Sequence, residues 1–143
     1  TASSLQLAQA YSVFANEGYL KDFKLFIDNN ESSYRQRVIS RDTADEILDS
    51  LKLVVSDGTG GLAKLPNFEV AGKTGTSHKS SSKGGYDKSK YIASFAGIAP
   101  LETKRLTIFV NIDEPGLNNY SGGSIAAPLF AAISNDVLNY LNE

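Results

Sequence analysis

Apolar positions recur at helical spacing near the start of the chain. The stripe follows Ser3 and Gln6, whose spacing is that of a capping box, in which the two side chains satisfy free backbone amides of a first turn. Gly18 is placed to end this helix. The apolar face predicted for it consists of Leu7, Ala10, Tyr11, Phe14 and Ala15.

Two further helices are predicted by the same spacing. One begins at the cap residue Ser40, has an acidic first turn that suits the helix dipole, and ends at the glycine-rich stretch 57–61. The other begins near Ser124 and tolerates Pro128, because the proline falls in the first turn. The apolar stripes are Ala44, Ile47, Leu48, Leu51 and Val55 in the former, and Ile125, Leu129, Ile133, Val137 and Leu141 in the latter.

Beyond residue 66 the pattern changes to alternation, which predicts extended chain. Earlier, residues 19–27 are predicted to be extended, 28–36 to form a polar loop, and Val38 with Ile39 to form a short strand. The element order predicts an α+β fold, an antiparallel three-stranded sheet packed with helices, in one unit over residues 1–143. The three predicted sheet strands are 68–73, 91–99 and 106–112.

Composition limits the classes of function. The 143 residues carry a formal net charge of −2, so no global charge favours nucleic acid, and no cysteine is present for disulfides or thiolate metal sites. No apolar run approaches the roughly 20 residues that span a membrane. His78 is the only histidine, so a Ser-His-Asp triad would need it. A single loop histidine is more often solvated, and that interpretation is favoured here.

The stretch VAGKTGTSHKSSSKGG, residues 70–85, concentrates the candidate chemistry. A P-loop ending at Gly72-Lys73-Thr74 would need a glycine at position 67, which holds asparagine. The predicted strand also runs through Gly72 and Lys73, and the residues that follow do not start a helix. A second glycine-rich stretch, residues 58–64, lacks a preceding strand. The sequence therefore argues against a nucleotide site.

A peptide-binding strand is the second interpretation of the same residues. On a pleated strand Lys73 and Gly75 face one way, and Thr74 and Thr76 face the other. Glycines weaken a strand unless another chain approaches its backbone, as in strand addition. A lysine and two hydroxyls there suit a ligand that ends in a carboxylate, with a backbone amide free for an oxyanion. A surface strand with a solvated lysine remains the alternative on spacing alone.

A family resemblance favours the peptide-binding interpretation. Lys-Thr-Gly is one of three motifs of β-lactamases and penicillin-binding proteins. Along nearly its whole length the chain resembles the C-terminal part of the transpeptidase domain of class B, division-type penicillin-binding proteins, which implies a partial penicillin-binding, serine β-lactamase-like fold. The resemblance lies in LQLAQAYSVFANEG (5–18), DGTGG (57–61), VAGKTGTS (70–77), KYIASFAGIAP (90–100), FVNIDEP (109–115) and YSGGSIAAPLF (120–130).

The resemblance implies a role for each residue of the Lys-Thr-Gly stretch. Lys73 would face the nucleophile and help to manage its proton. Thr74 and Thr76 would bind the terminal carboxylate of a D-Ala-D-Ala stem peptide or of a β-lactam. The Thr76 amide would complete the oxyanion hole, and Gly75 would let the substrate backbone lie close. The implied reaction passes through an acyl-serine to a neighbouring amine and cross-links peptidoglycan, with no metal or cofactor.

Two of the family's three motifs are missing. No Ser-x-Asn occurs, and the only Ser-x-x-Lys, residues 80–83, follows the Lys-Thr-Gly stretch instead of preceding it. We therefore expect an upstream part of the same protein to supply the nucleophile and two further strands, leaving the inner edge of the third predicted strand unpaired here. The chain alone should be inactive. A noncatalytic module that binds stem peptides or β-lactams, and a D,D-carboxypeptidase or serine β-lactamase, remain open as alternatives.

The resemblance also implies a cellular setting. The protein is expected at the periplasmic face of the bacterial inner membrane, with any anchor outside this chain, and with cell-division proteins as partners. Residues 78–90 are predicted to be a mobile basic loop. Asp113 and Glu114 are attributed to turn chemistry beside Pro115, not to acid–base catalysis.

Overall fold

The computed structural model describes residues 2–24, 35–82, 84–116 and 118–141. Within these ranges, no helix is long and apolar enough to cross a membrane. The helices are α1 (Ser4–Ala15), α2 (Arg41–Ser56) and α3 (Ala127–Leu141), with a 3-10 turn at Gly61–Ala63 and a π-helical turn at Gly122–Ala126. The strands are β1 (Tyr19–Lys21), β2 (Arg35–Arg37), β3 (Ala71–Ser80), β4 (Tyr86–Ala99) and β5 (Leu106–Asp113).

Both predicted helix caps are confirmed. The Gln6 amide donates to Ser3 Oγ at 3.2 Å, and the Ser3 amide donates to Gln6 Oε1 at 2.8 Å, which closes the capping box of α1. Ser40 Oγ accepts from the Thr43 amide at the start of α2. Gly18 follows α1 with a φ of +88°, a backbone conformation that glycine adopts without steric cost.

The three predicted strands form one antiparallel sheet in the order β3-β4-β5, and β1 pairs with β2 separately. The register places Thr74 opposite Phe95, and Phe95 opposite Val110. Among the described residues β3 and β5 each have one strand neighbour, so each has an outer edge without a partner strand. The α+β prediction is confirmed.

The core lies on both faces of this sheet. On one face the rings of Phe95 and Phe130 are fully buried with centroids 4.9 Å apart. Gly97 lies beneath the Phe130 ring, and a Cβ there would come within 2.3 Å of it. The other face carries Ala71 and Ile98, which pack with apolar side chains of α2. The Phe130 ring can therefore be buried on this face only because Gly97 has no side chain.

The loop between β3 and β4 is shorter than the sequence pattern predicts. β3 starts at Ala71, not at residue 68, and continues to Ser80, while β4 starts at Tyr86. The predicted mobile loop at 78–90 is therefore wrong, because strand pairing extends through most of it. Its Ser-x-x-Lys match begins at the end of β3, and Lys83 lies outside the described residues.

Two element boundaries also differ. The short strand lies at Arg35–Arg37 instead of Val38 and Ile39, and both arginine side chains pack over the Tyr19 ring of β1. The regular part of the last helix starts at Ala127 instead of near Ser124, because the π-helical turn precedes it. The predictions for residues 25–34 lie outside the described residues.

Candidate functional site

The Lys-Thr-Gly residues lie within β3, paired with β4. Lys73 is opposite Ala96, and Thr76 is opposite Ala93. Thr74 and Thr76 share one side of the strand, as the alternation predicts, and line a cleft of about 510 Å³. The other residues of this cleft are Gly58, Thr59, Gly61, Leu62, Ser121, Gly123 and Ser124.

Thr74 has a hydroxyl partner from a different part of the chain. Its Oγ1 lies 2.8 Å from Oγ1 of Thr59, in the loop that follows α2. The Gly60 amide donates to the carbonyl of Val54 at 2.8 Å and fixes this loop against the end of the helix. The sequence pattern predicts no role for Thr59. The glycines around it in residues 57–61 were the available signal, since they allow a loop to approach a strand closely.

Thr76 is held by the turn that precedes α3. Its Oγ1 accepts a hydrogen bond of 3.0 Å from the Gly122 amide. A Cβ on Gly122 would lie 2.4 Å from the carbonyl oxygen of Gly75 and 2.3 Å from that of Ser94. The turn therefore packs directly on the backbone of the site strand, which only glycine permits. Gly122 lies in the stretch 120–130 that carries part of the family resemblance, but the sequence predicts no role for it.

Lys73 faces away from this hydroxyl-lined cleft. Its ammonium is exposed and donates to the Thr74 carbonyl at 3.1 Å, and it makes no ion pair within the described part of the chain. Gly75 lies on the same side of β3, where a Cβ would come within 2.4 Å of Ser94 Oγ. The structure thus brings Thr74 and Thr76 together in the cleft and leaves Lys73 and Gly75 on the opposite side of the strand.

A row of three rings continues from the threonines along β3. The His78 ring lies 4.7 Å from that of Tyr91, which stacks on Tyr120 at 4.1 Å between centroids. His78 belongs to β3, so its predicted placement in a solvated loop is wrong, although its side chain is exposed. Among the residues described, no cluster of histidine, aspartate and glutamate could hold a metal ion.

The outer end of the hairpin is held by charges. Lys79 Nζ lies 2.8 Å from both Asp113 and Glu114, and Lys90 Nζ lies 3.0 Å from Glu114. Hydrogen bonds from the two lysines lower the pKa of Glu114, and those to the two carboxylates raise the pKa of Lys79. Turn chemistry was therefore an incomplete account of these acids, although Glu114 does adopt a positive φ of 51°.

Comparison with known proteins identifies the family. The model for the penicillin-binding protein transpeptidase domain matches residues 1–135. The chain belongs to this transpeptidase family. The resemblance stated from the motifs is confirmed, and so is the partial penicillin-binding fold.

Relatives in sequence carry the same designation. The chain is 42% identical over 132 residues to the probable peptidoglycan D,D-transpeptidase PbpC of Pseudomonas aeruginosa, covering 92% of this chain and 23% of that protein. It is 32% identical over 146 residues to the peptidoglycan D,D-transpeptidase FtsI of Buchnera aphidicola, covering 99% of this chain and 25% of the relative. The chain therefore spans about a quarter of these relatives.

The chain is also similar to part of several solved structures of penicillin-binding proteins. The apo transpeptidase domain of Burkholderia pseudomallei penicillin-binding protein 3 superposes with a TM-score of 0.87 and 40% identity, covering 99% of this chain and 43% of that one. A mycobacterial penicillin-binding protein 3 complexed with ampicillin gives a TM-score of 0.81 at 30% identity, covering 99% of this chain and 35% of that one. In these transpeptidase-family structures the fold extends well beyond the part that corresponds to this chain.

Proposed function

We propose that this chain forms the carboxylate-binding wall of a peptidoglycan D,D-transpeptidase. The observation that carries the proposal is the pair of threonine hydroxyls, Thr74 and Thr76, side by side in one cleft of a chain that belongs to the transpeptidase family. Hydroxyl donors suit a carboxylate, because hydrogen bonds to an ionised acceptor are roughly twice as strong as neutral ones.

The outer edge of β3 supports a peptide as the ligand. This edge has no partner strand among the described residues, so an extended stem peptide can lie along it and gain main-chain hydrogen bonds. Between the two threonines Gly75 adds no side chain that would hold a peptide away from this edge, and Ser94 Oγ fills the place where its Cβ would lie. We assign the backbone amide of Thr76 as the oxyanion donor, beside the hydroxyl that binds the carboxylate.

The reaction itself needs a serine from the upstream part that related domains possess. Its oxygen attacks the penultimate D-alanine carbonyl of a stem peptide, the bond to the last D-alanine breaks, and that residue leaves with a proton. An amine from a second stem peptide then attacks the acyl-serine, forms the new amide and restores the serine. Lys73 supplies a cation that helps to move the serine proton when the upstream part faces it.

The partners and the location follow from this function. The ligands are stem peptides ending in D-Ala-D-Ala and β-lactams, which share a carboxylate beside a reactive amide, and no nucleic acid takes part. The setting is the periplasmic face of the bacterial inner membrane, alongside cell-division proteins. The single unit over residues 1–143 acts as the C-terminal part of the domain. We call this chain joined to the upstream part that its relatives possess the complete domain.

Intact-mass spectrometry after incubation with benzylpenicillin tests the proposal. The complete domain should gain the mass of one penicillin, whereas this chain alone should gain none. Lys73→Ala in the complete domain should slow acylation by roughly a hundredfold to ten-thousandfold, the range of general acid–base contributions. Lys88→Ala is the matched control, because Lys88 is an exposed lysine of the same hairpin, and it should acylate at the unsubstituted rate.

Other outcomes would select the alternatives. A complete domain that binds penicillin reversibly, without a mass gain, would be a noncatalytic binding module. A domain that acylates but releases only shortened peptide when an acceptor amine is present would be a carboxypeptidase, and rapid hydrolysis of the penicillin adduct would indicate a β-lactamase. An adduct on the short chain would instead locate a nucleophile within it.

A further inference from the structure

The hydroxyls of Thr74 and Thr76 each have a hydrogen-bond partner elsewhere in the chain, and this partner decides whether the hydroxyl hydrogen is left for a ligand. A threonine hydroxyl has one hydrogen to donate and two lone pairs that accept. Thr76 Oγ1 accepts from the Gly122 amide at 3.0 Å, and an amide can only donate. Among the described residues no acceptor takes the Thr76 hydrogen, so that hydrogen is free to face a ligand.

Thr59 leaves the hydroxyl hydrogen of Thr74 free to face a ligand in a similar way. The two hydroxyl oxygens are 2.8 Å apart, so one of them donates to the other. An anion in the cleft attracts the hydrogen of Thr74, whose hydroxyl shares that cleft with Thr76. Thr59 is then left as the donor, and the oxygen of Thr74 as its acceptor. The hydroxyls thus form a directed chain from Thr59 through Thr74 to the ligand.

The turn before α3 packs against both β3 and the loop that carries Thr59. Gly122 lies on the backbone of Gly75, and Gly123 lies against the Thr59 loop, where a Cβ would come within 2.3 Å of the Thr59 carbonyl oxygen. The same Cβ would be 3.6 Å from Cγ2 of Thr74. The two glycines therefore join the loop that carries Thr59 to the strand that carries the threonines.

We propose that Thr59 is a positioning residue that donates to Thr74, as the Gly122 amide donates to Thr76, so that both hydroxyls present hydrogens and the cleft selects an anionic group over a neutral one. The inference rests on the proposed function, because it concerns recognition of the carboxylate at that site. It assigns Thr59 an indirect role: the side chain acts on the ligand through Thr74.

Acylation of the complete domain by benzylpenicillin and by its methyl ester tests the inference. The two compounds differ in the charge of the group that Thr74 meets. The ratio of their second-order acylation rates therefore measures the preference for an anion. Thr59→Val removes the donor at nearly constant volume and should lower this ratio roughly threefold to tenfold, the effect of one modest hydrogen bond. Thr59→Ser keeps the hydroxyl and should retain the ratio.

Three further measurements separate the outcomes. Thr59 is exposed, so both variants should melt at the unsubstituted temperature, and Thr59→Ala is a second deletion of the hydroxyl that should repeat the valine result. If Thr74→Val lowers the ratio while Thr59→Val and Thr59→Ala do not, the positioning role is overturned and the proposed function stands. If Thr74→Val also leaves the ratio unchanged, the carboxylate assignment of the proposed function fails with it. An equal loss in Thr59→Ser and Thr59→Val would indicate packing, and would overturn the inference.

Discussion

The two halves of the hairpin formed by β3 and β4 are held together by different forces. The inner half, residues 71–76 paired with 93–98, carries the fully buried ring of Phe95 and three glycines whose space is occupied by neighbouring atoms. The outer half, residues 77–80 with 86–92, is largely exposed and is held by rings and by ion pairs. The residues of the Lys-Thr-Gly stretch, 73–76, all belong to the inner half.

This difference indicates that residue positions are fixed by packing in the inner half and can adjust in the outer half. Close packing leaves no alternative arrangement, because an added methyl group forces its neighbours to move. Ion pairs between exposed groups are weak and tolerate rearrangement. Placing the threonines on the packed half keeps their hydroxyls at fixed positions, while the charged half can change with little cost to the site.

Removing the largest ring of the inner half should have the largest effect. Phe95→Ala should lower the free energy of unfolding of the complete domain by about 3–5 kcal/mol, because it deletes a buried ring against Phe130 and leaves a cavity. Tyr86→Ala, on the same strand but in the outer half, removes a ring that is 74% exposed and should cost far less. Urea denaturation of both variants checks this prediction, and equal losses would contradict the division into two halves.

Adding one methyl group to the turn that rests on the inner half should have the next largest effect. Gly122→Ala places a Cβ 2.4 Å from the Gly75 carbonyl oxygen and should cost about 1–3 kcal/mol of stability. It should also slow penicillin acylation, since Thr76 loses its aligned amide. Gly116→Ala is the matched control, because nothing lies within 4 Å of a Cβ there. Thermal melting and acylation rates should change only in the Gly122 variant.

The charges of the outer half should have the smallest effect, and one that depends on pH. The pKa of Glu114 lies below its ordinary 4.5, because Lys79 and Lys90 donate to it. Its contribution to stability is therefore present above pH 4.5 and is lost as pH falls through the lowered value. The pKa of Lys79 is raised, so its contribution is lost only in strong alkali.

Glu114→Gln should therefore make stability fall less steeply with acid than in the unsubstituted domain, with little change in acylation at neutral pH. Denaturation midpoints measured on both sides of pH 4.5 give the slopes. Glu46→Gln serves as the control, because this glutamate is exposed on α2 and makes no ion pair in the described ranges. If the stability of Glu114→Gln still falls steeply as pH is lowered, other carboxylates govern the loss of stability in acid.

Local signals were sufficient to predict where α1 and α2 begin. The hydroxyls of Ser3 and Ser40 cap helices that start one residue later, because capping involves groups within one turn of each other. The alternation over residues 106–112 predicted β5 almost to its bounds. The extension of β3 to Ser80 was missed, since serine, lysine and glycine have low strand propensity and pairing with β4 overrides it.

The site was predicted only where it is contiguous in sequence. The order Lys73 to Thr76 carried the family resemblance, and strand alternation separated the two threonines from Lys73. Thr59 and Gly122 were missed as partners because their contacts join residues 15 and 46 positions apart. Helix and strand periodicity does not predict contacts between residues so far apart in sequence. Glycines nevertheless lie on both sides of Thr59, and the partner of Thr76 is itself a glycine. Those glycines mark close approaches whose partners only the folded chain reveals.

The separation of 46 residues between Gly122 and Thr76 also has a consequence for the order of synthesis. A ribosome makes the chain from its N-terminus, at about 5–20 residues per second. Thr59 is made only 15 residues before Thr74, whereas Thr76 waits several seconds for the amide that orients it. A nascent chain that has formed its sheet therefore holds one oriented hydroxyl, and the second is gained only when the last helix begins to emerge.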